Sequence, residues 1–152
     1  MQTTRNRILC LDDHEDTLEM MKLLRGRWGY EVVLARTVAD ALHLAQSERF
    51  DLYLLDSHLP DGSGFELCKQ ICAIAGHALV VFISGEAYET DKQRGLAAGA
   101  VAYLTKPVEF EELEMTVTRF ITKTRGEDRK DLKAGRRVHR SREAQSVSAI
   151  AL

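Results

Sequence analysis

Several residue types that characterise other classes of protein are scarce in this 152-residue chain. Two prolines and three cysteines are too few for a collagen-like chain or a disulfide scaffold. No apolar run approaches the ~20 residues that a membrane-spanning helix needs, and residues 1–5 lack the apolar segment of a signal peptide. We therefore expect a cytoplasmic protein that does not enter a membrane.

The composition that remains is typical of a folded domain. The chain is 45% hydrophobic and 29% charged, and its length is enough for one domain with a substantial core. The cysteines, Cys10, Cys68 and Cys72, form no CxxC pair. We interpret them as free thiols in the core, in preference to a metal or redox site.

Charge divides the chain into two parts. Residues 1–124 carry 13 basic against 19 acidic side chains, a net of −6, whereas residues 125–152 carry 8 against 4, a net of +4. The second part shows no useful apolar periodicity and is too short to bury a core of its own. We predict a domain over 1–124 and a basic, flexible tail over 125–152.

Five short apolar runs alternate with segments of helical periodicity, which predicts a (βα)5 fold. The runs are residues 8–11, 32–34, 52–55, 79–83 and 101–104. Because they lack polar alternation, we expect parallel strands covered by helices on both faces. Right-handed crossovers then favour a flavodoxin-like, doubly wound sheet with strand order 2-1-3-4-5.

The helical segments carry more detailed expectations. In the first, the spacing predicts one buried stripe of Leu18, Met21, Leu24 and Trp28. The third opens with Ser63-x-x-Glu66, the pattern of a capping box. In the fifth, we expect four acidic side chains to face outward: Glu109, Glu111, Glu112 and Glu114.

Polar residues follow four of the five apolar runs. Asp12 and Asp13 follow the first run, Asp56 the third, Ser84 the fourth and Lys106 the fifth. Parallel strands bring these groups to one edge, and the predicted order makes the first and third strands neighbours. Clustered carboxylates repel one another, so we expect them to recruit a hard divalent cation, which suggests phosphate chemistry. Asp13 could instead cap the first helix.

Further motifs accompany these groups, and together they resemble a known family. They are Leu59-Pro60-Asp61-Gly62-x-Gly64, Ser84-Gly85, Ala98-Gly99-Ala100 and Tyr103-x-x-Lys106-Pro107. With Asp12, Asp13 and Asp56 they resemble, over about residues 6–124, the receiver domain of two-component response regulators. Single-domain receivers like the chemotaxis regulators are the nearest type.

The resemblance implies a role for each residue of the predicted metal and phosphoryl site. Asp56 is the expected phosphoacceptor. Asp13, Asp56 and the main-chain carbonyl of His58 are the expected ligands of Mg²⁺ or Mn²⁺, with Asp12 assisting. His58 is not expected to bind the metal through its ring, since no second His or Cys lies at ligand spacing.

The resemblance also implies a switch. Lys106 is expected to pair first with Asp56 and then with the phosphoryl group, while Ser84 moves toward that group and Tyr103 swings inward behind it. The side chains of His58 and Glu86 flank the attacking water in receivers, so they should modulate dephosphorylation. Receivers of this type have a cis bond before the proline, so we expect Lys106–Pro107 to be cis.

These expectations define a phosphorylation-dependent switch that is not itself an enzyme acting on free substrates. The phosphoryl donor would be a sensor histidine kinase or a histidine phosphotransfer protein. Output would come from an unknown protein binding the face of the fourth helix, fifth strand and fifth helix around Tyr103, with a homodimer as a further possibility. A phosphorelay shuttle and a receiver cut from a longer chain remain open.

Three alternatives belong to other classes. A DNA-binding regulator could use the basic tail against phosphates, although the tail has no recognition-helix pattern. A small aspartyl-phosphate phosphatase would usually carry an acid two residues after its nucleophile, where this chain has His58. A silent receiver would bind partners without phosphorylation, but all the key groups are present.

Overall fold

The structure, a computed structural model, describes residues 5–126. The five main strands are β1 (Arg7–Leu11), β2 (Glu31–Ala35), β3 (Leu52–Leu55), β6 (Val80–Ser84) and β7 (Ala102–Thr105). They form one sheet in the order β2-β1-β3-β6-β7, and every pair within it is parallel. Counted within this sheet alone, the order is the predicted 2-1-3-4-5.

Five helices alternate with these strands. They are α1 (Glu15–Trp28), α2 (Val38–Ser47), α3 (Gly64–Ile74), α4 (Glu89–Ala97) and α5 (Phe110–Gly126). None of the helices in residues 5–126 is long and apolar enough to cross a bilayer. Residues 127–152 lie outside the described part of the chain, so the tail predicted over 125–152 stays a prediction.

Two strands were not predicted. β4 (His58–Leu59) and β5 (Gly62–Ser63) form a separate antiparallel hairpin between β3 and α3. Each has only two residues, which is too short for a period-2 pattern to show in the sequence. This hairpin begins two residues after Asp56, so it lies at the edge of the predicted site.

The central strands are buried on both faces, as their continuous apolar sequences predict. All residues of β3 and β6 are buried, and so are those of β1 after Arg7. Helices cover a parallel sheet on both sides, so strands in its interior need no polar face. Cys10 and Cys68 lie in this core, Cys72 is partly exposed, and all three are free thiols.

The predicted stripe of α1 is correct for three residues and wrong for Trp28. Leu18, Met21 and Leu24 are buried, but Trp28 is 48% exposed. Its ring stacks on Tyr30, and its indole N–H donates to Glu114 Oε2 at 2.9 Å. A buried indole N–H needs a hydrogen-bond partner. Glu114 supplies one at the end of α1, whereas the apolar side chains of the buried stripe could not.

The same contact corrects the prediction for Glu114. Its side chain is only 16% exposed and also pairs with Arg27 at 3.0 Å, so it packs against the end of α1. Glu109 and Glu111 do face outward, whereas Glu112 is partly buried. Glu114 therefore connects α5 to α1.

The start of α3 differs from its prediction, and the start of α1 does not match the alternative role of Asp13 as a helix cap. Ser63 caps α3, and its hydroxyl accepts from the amides of Phe65 and Glu66, but the Glu66 carboxylate pairs with Lys69 instead of completing a box. The N-cap residue of α1 is His14, not Asp13. Asp13 is thereby left outside the capping interactions of the helix.

Candidate functional site

The carboxyl edge of the sheet brings together the residues that follow β1, β3 and β7. The Asp56 amide donates to the carbonyl of Leu11 at 2.9 Å, and the Lys106 amide donates to that of Ser84 at 2.8 Å. These main-chain bonds extend the strand pairing by one residue beyond the strand ends. The side chains of Asp12, Asp56 and Lys106 are therefore held by the sheet itself.

Lys106 contacts two carboxylates at once. Its Nζ lies 2.8 Å from Asp12 Oδ2 and 3.3 Å from Asp56 Oδ2. The sequence predicted the pairing with Asp56, and the structure adds Asp12 as the nearer partner. Asp12 and Asp56 are both buried, and a shared ammonium reduces the repulsion between them.

Asp12 is a fully bonded buried carboxylate. One oxygen accepts from the amide of His14 at 2.9 Å, and the other accepts from Thr17 Oγ1 and from Lys106 at 2.8 Å each. Burial raises the pKa of Asp12, but the hydrogen bonds from Lys106 and His14 outweigh burial and leave the pKa below its usual value. Asp12 is thus ionised at neutral pH and anchors Lys106.

Asp56 has one oxygen tied to the main chain and one facing the cluster. Its Oδ1 accepts from the Ser57 amide at 2.7 Å, and the His58 amide is 3.4 Å from the same oxygen. Its Oδ2 faces Lys106 and lies 3.6 Å from His14 Nδ1. Of the two Asp56 oxygens, Oδ2 is therefore the one on the side of Lys106 and His14.

His14 lies within this cluster, and the sequence reasoning did not identify it. Its Nδ1 is 2.7 Å from Asp12 Oδ1, 3.2 Å from Asp13 Oδ1 and 3.0 Å from Lys106 Nζ. The ring is 60% exposed, so it covers the cluster from the solvent side. Its position directly after the acid pair that ends β1 was the available signal.

The cluster has the geometry and charge of a divalent cation site. Ligand atoms of Asp12, Asp13, His14 and Asp56 all lie within 4.8 Å of one another. Opposite oxygen ligands of one cation are roughly 4–5 Å apart, given metal–oxygen distances of about 2.0–2.6 Å. Three carboxylates against one lysine leave an excess of negative charge. The residues present therefore fit Mg²⁺ or Mn²⁺.

Ser84 and Tyr103 lie behind Asp56, in the interior. Both are buried, and the Ser84 hydroxyl contacts the hydroxyl of Ser57. Tyr103 already points inward, and its hydroxyl donates to the carbonyl of Glu86 at 2.6 Å. Burial raises the pKa of Tyr103, opposed by the Ser84 and Ser57 hydroxyls. In this conformation the ring of Tyr103 contributes to the core and not to the outer face.

A glycine in α4 makes room for the inward ring. A Cβ at Gly95 would lie 2.9 Å from Tyr103 Cδ2 and 3.1 Å from Phe82 Cδ2. Phe82 itself packs against Tyr103, with ring centroids 5.7 Å apart. A side chain at this position would therefore push against the buried aromatic pair.

Two residues of the quoted motifs fix the hairpin beside Asp56. The Asp61 carboxylate accepts from the amides of Val38 and Ala39 at 2.9 and 3.1 Å, so it caps α2. These backbone hydrogen bonds lower the pKa of Asp61. Gly64 lies where a Cβ would be 1.9 Å from the carbonyl oxygen of Asp56. Both residues belong to the Leu59-Pro60-Asp61-Gly62-x-Gly64 motif, and their physical roles depend on contacts that the sequence does not reveal.

The remaining predicted site residues are placed as follows. The Glu86 amide donates to Ser84 Oγ at 3.0 Å, so its main chain lies against the site, while its side chain is exposed. His58 begins β4 and is exposed; the role of its carbonyl as a metal ligand stays a prediction. The Lys106–Pro107 bond is cis, as predicted.

Comparisons with known proteins identify the family of this fold. Residues 8–118 match the family model of the response regulator receiver domain. A curated relative, the alkaline phosphatase synthesis transcriptional regulatory protein PhoP of Bacillus subtilis, is 34% identical over 111 residues, covering 73% of this chain and 46% of that protein. The chain thus spans about half the length of this relative.

Solved structures show the same likeness. A CheY-like receiver domain protein from Methanospirillum hungatei superimposes with a TM-score of 0.76 at 30% identity, covering 82% of this chain and 100% of that one. The receiver domain of the sensor histidine kinase PA1611 from Pseudomonas aeruginosa, which has a magnesium ion coordinated in its active-site cleft, gives 0.69 at 26% identity, covering 78% and 98%.

This chain therefore belongs to the response regulator receiver domain family. It is a receiver of two-component signal transduction. The strand order of its sheet and the acidic cluster at the carboxyl edge indicate the same class. Receiver domains act with histidine kinases or phosphotransfer proteins and bind Mg²⁺ at an acidic pocket. The acidic cluster of this chain corresponds to such a pocket.

Proposed function

We propose that this receiver accepts a phosphoryl group on Asp56 from a histidine kinase or a histidine phosphotransfer protein in the cytoplasm. The environment of Asp56 carries the proposal. One carboxylate oxygen accepts from the Ser57 amide, and the other faces Lys106 and the cluster formed with Asp12, Asp13 and His14. A carboxylate fixed in this way presents an oriented nucleophile.

In the proposed transfer, the phosphoryl group passes from a histidine nitrogen of the donor to a carboxylate oxygen of Asp56. Asp56 Oδ2 attacks the phosphorus of a phosphohistidine, the nitrogen–phosphorus bond breaks, and the departing imidazole nitrogen keeps the electron pair. The product is an acyl phosphate. Lys106 lies 3.3 Å from Oδ2, so its ammonium group can pair with a phosphoryl oxygen once the phosphoryl group is bound to Asp56.

A bound Mg²⁺ or Mn²⁺ would supply neutralisation of the phosphoryl oxygens during this transfer. Asp13, Asp56 and the His58 carbonyl would hold it. Asp12 would assist without binding directly, because its own oxygens are already occupied by His14, Thr17 and Lys106. Asp13, in contrast, is exposed and is not the N-cap of α1.

Output would follow from the charge added at Asp56. A phosphoryl group brings about −1.5 to −2 charges and new acceptor oxygens, which attract the hydroxyl of Ser84 and its loop. Glu86 is bonded through its main chain to both Ser84 and Tyr103. We propose that this connection alters the face formed by α4, β7 and α5, where a downstream protein or a second copy binds.

The proposal is tested by labelling the full chain with acetyl phosphate. We expect a mass increase of one phosphoryl group when Mg²⁺ is present and no increase when EDTA removes the cation. The adduct should be released by hydroxylamine, as an acyl phosphate is. Labelling that is insensitive to EDTA, or that resists hydroxylamine, would count against Asp56 as the acceptor.

The direct ligand role of Asp13 predicts a loss of metal affinity in Asp13→Asn. Because loss of even an outer partner of a metal site usually costs 10–100-fold, we expect Mg²⁺ affinity to fall by at least about tenfold. Calorimetric titration measures this directly. Asp16→Asn is the matched control, since Asp16 is an exposed acid in the first turn of α1. Equal losses in both variants would show a general charge effect instead of ligation.

A further inference from the structure

Ser57, which no sequence motif singles out, connects Asp56 to the predicted switch residue Ser84. Ser57 donates its amide to Asp56 Oδ1 at 2.7 Å, and its hydroxyl bonds to the hydroxyl of Ser84. Ser57 is 3% exposed and Ser84 is fully buried, so solvent does not compete for this pair. A buried hydroxyl pair of this kind holds both side chains in one orientation.

The hydrogen bonds of Ser84 show how its pairing with Ser57 opposes the movement of Ser84 toward a phosphoryl group. Ser84 Oγ accepts from the Glu86 amide at 3.0 Å and bonds to the Ser57 hydroxyl, and the Tyr103 hydroxyl lies close enough to interact with both serines. A hydroxyl has one proton to donate. When Ser84 turns to donate that proton to a phosphoryl oxygen on Asp56, the buried Ser57 hydroxyl loses its bond to Ser84 and keeps only the neighbouring Tyr103 hydroxyl.

From this arrangement we propose that Ser57 is a positioning residue that holds the Ser84 hydroxyl in the resting state and so opposes the switch. Phosphorylation exchanges the Ser57–Ser84 hydrogen bond for one between Ser84 and the phosphoryl group. This inference rests on the proposed function, because it requires a phosphoryl group on Asp56. In this proposal, Ser57 determines how strongly the resting state is favoured over the phosphorylated state.

The contacts of Glu86 extend the effect of Ser57 to the interior aromatic ring. Ser84 binds the Glu86 amide, and the Glu86 carbonyl accepts from the Tyr103 hydroxyl at 2.6 Å. Hydrogen bonds, joined by the covalent structure of Ser57 and Glu86, thus connect Asp56 through Ser57, Ser84 and Glu86 to Tyr103. Movement of Ser84 away from Ser57 changes the first side-chain link in this path.

The test measures binding of beryllofluoride, a phosphoryl mimic, to the full chain with saturating Mg²⁺. Calorimetry is carried out on wild type, Ser57→Ala, Ser84→Ala and the double variant. We expect Ser57→Ala to tighten binding by about three- to tenfold, the usual worth of one hydrogen bond. In the Ser84→Ala background, the same change should have no effect, since the bond it removes is already absent.

Two further variants complete the design. Ser57→Cys keeps the size of the side chain with a weaker donor and acceptor, so it should tighten binding to an intermediate degree and serves if Ser57→Ala fails to fold. Ser47→Ala is the matched control, because the Ser47 hydroxyl is bonded to the His43 carbonyl in α2. It should bind beryllofluoride like the wild type.

The outcomes separate this inference from the proposed function. If wild type binds the mimic, and Ser57→Ala binds equally, more weakly, or with the same change in both Ser84 backgrounds, the inference is overturned while the proposed function stands. Weaker binding would show that Ser57 itself supports the phosphoryl group. If wild type fails to bind the mimic at all, both are overturned.

Discussion

Asp56→Asn should abolish phosphorylation of this chain. The substitution keeps the size of the side chain and its amide oxygen, which can still accept from the Ser57 amide at the position of Oδ1. It removes the anionic oxygen that faces Lys106 and acts as the nucleophile. Because loss of a nucleophile costs up to ~10⁶ in rate in enzymes, we expect labelling by acetyl phosphate to fall by more than about a thousandfold. Intact-mass measurement after timed incubation quantifies the loss.

The matched control is Asp40→Asn, which removes an exposed acid from the first turn of α2. It should be labelled at the wild-type rate. A pull-down with wild type and Asp56→Asn, each with and without Mg²⁺ and acetyl phosphate, then tests the output. A partner recovered only with phosphorylated wild type supports the switch, whereas labelling of Asp56→Asn, or equal recovery from all samples, contradicts it.

The sheet could be predicted because its central strands are continuous apolar runs and the edge strand β2 still contains a short one, residues 32–34. Burial on both faces leaves such runs without polar residues, and strand–helix alternation with right-handed crossovers then leaves few orders. The hairpin of β4 and β5 gave no such signal, since its pairing depends on a turn of two residues, Pro60 and Asp61. The burial of Trp28 was predicted wrongly. Periodicity indicates which face of a helix a residue lies on, but it does not indicate whether the last turn of α1 still packs against the core.

The charged part of the site could be predicted for the same reason, since its members follow strands of known order. Asp12, Asp56 and Lys106 do meet, as expected. What the sequence did not reveal are contacts that depend on side-chain direction. The imidazole of His14 turns back over the carboxylates, and the hydroxyl of Ser57 turns inward to Ser84. Neither orientation follows from spacing along the chain.

Gly64→Ala should destabilise the fold more than any other single methyl addition considered for this site. A Cβ at Gly64 would lie 1.9 Å from the carbonyl oxygen of Asp56, 2.9 Å from its carbonyl carbon and 3.0 Å from Ser57 Cα. All three atoms belong to the main chain, so no side chain can rotate away to relieve the contact. Only a shift of the segment that carries Asp56, or of the start of α3, can do so.

Because overpacking costs about 1–3 kcal/mol even where side chains adjust, we expect a loss of at least about 3 kcal/mol in the free energy of unfolding, measured by urea denaturation. Mg²⁺ affinity should fall in the molecules that remain folded, since Asp56 has to move. Gly26→Ala in α1 is the control: nothing lies within 4 Å of its Cβ, and alanine in a helix gains about 0.5–1 kcal/mol over glycine. A loss below about 1 kcal/mol in Gly64→Ala would show that the backbone around Asp56 is free to adjust, and the site would then not depend on this close approach.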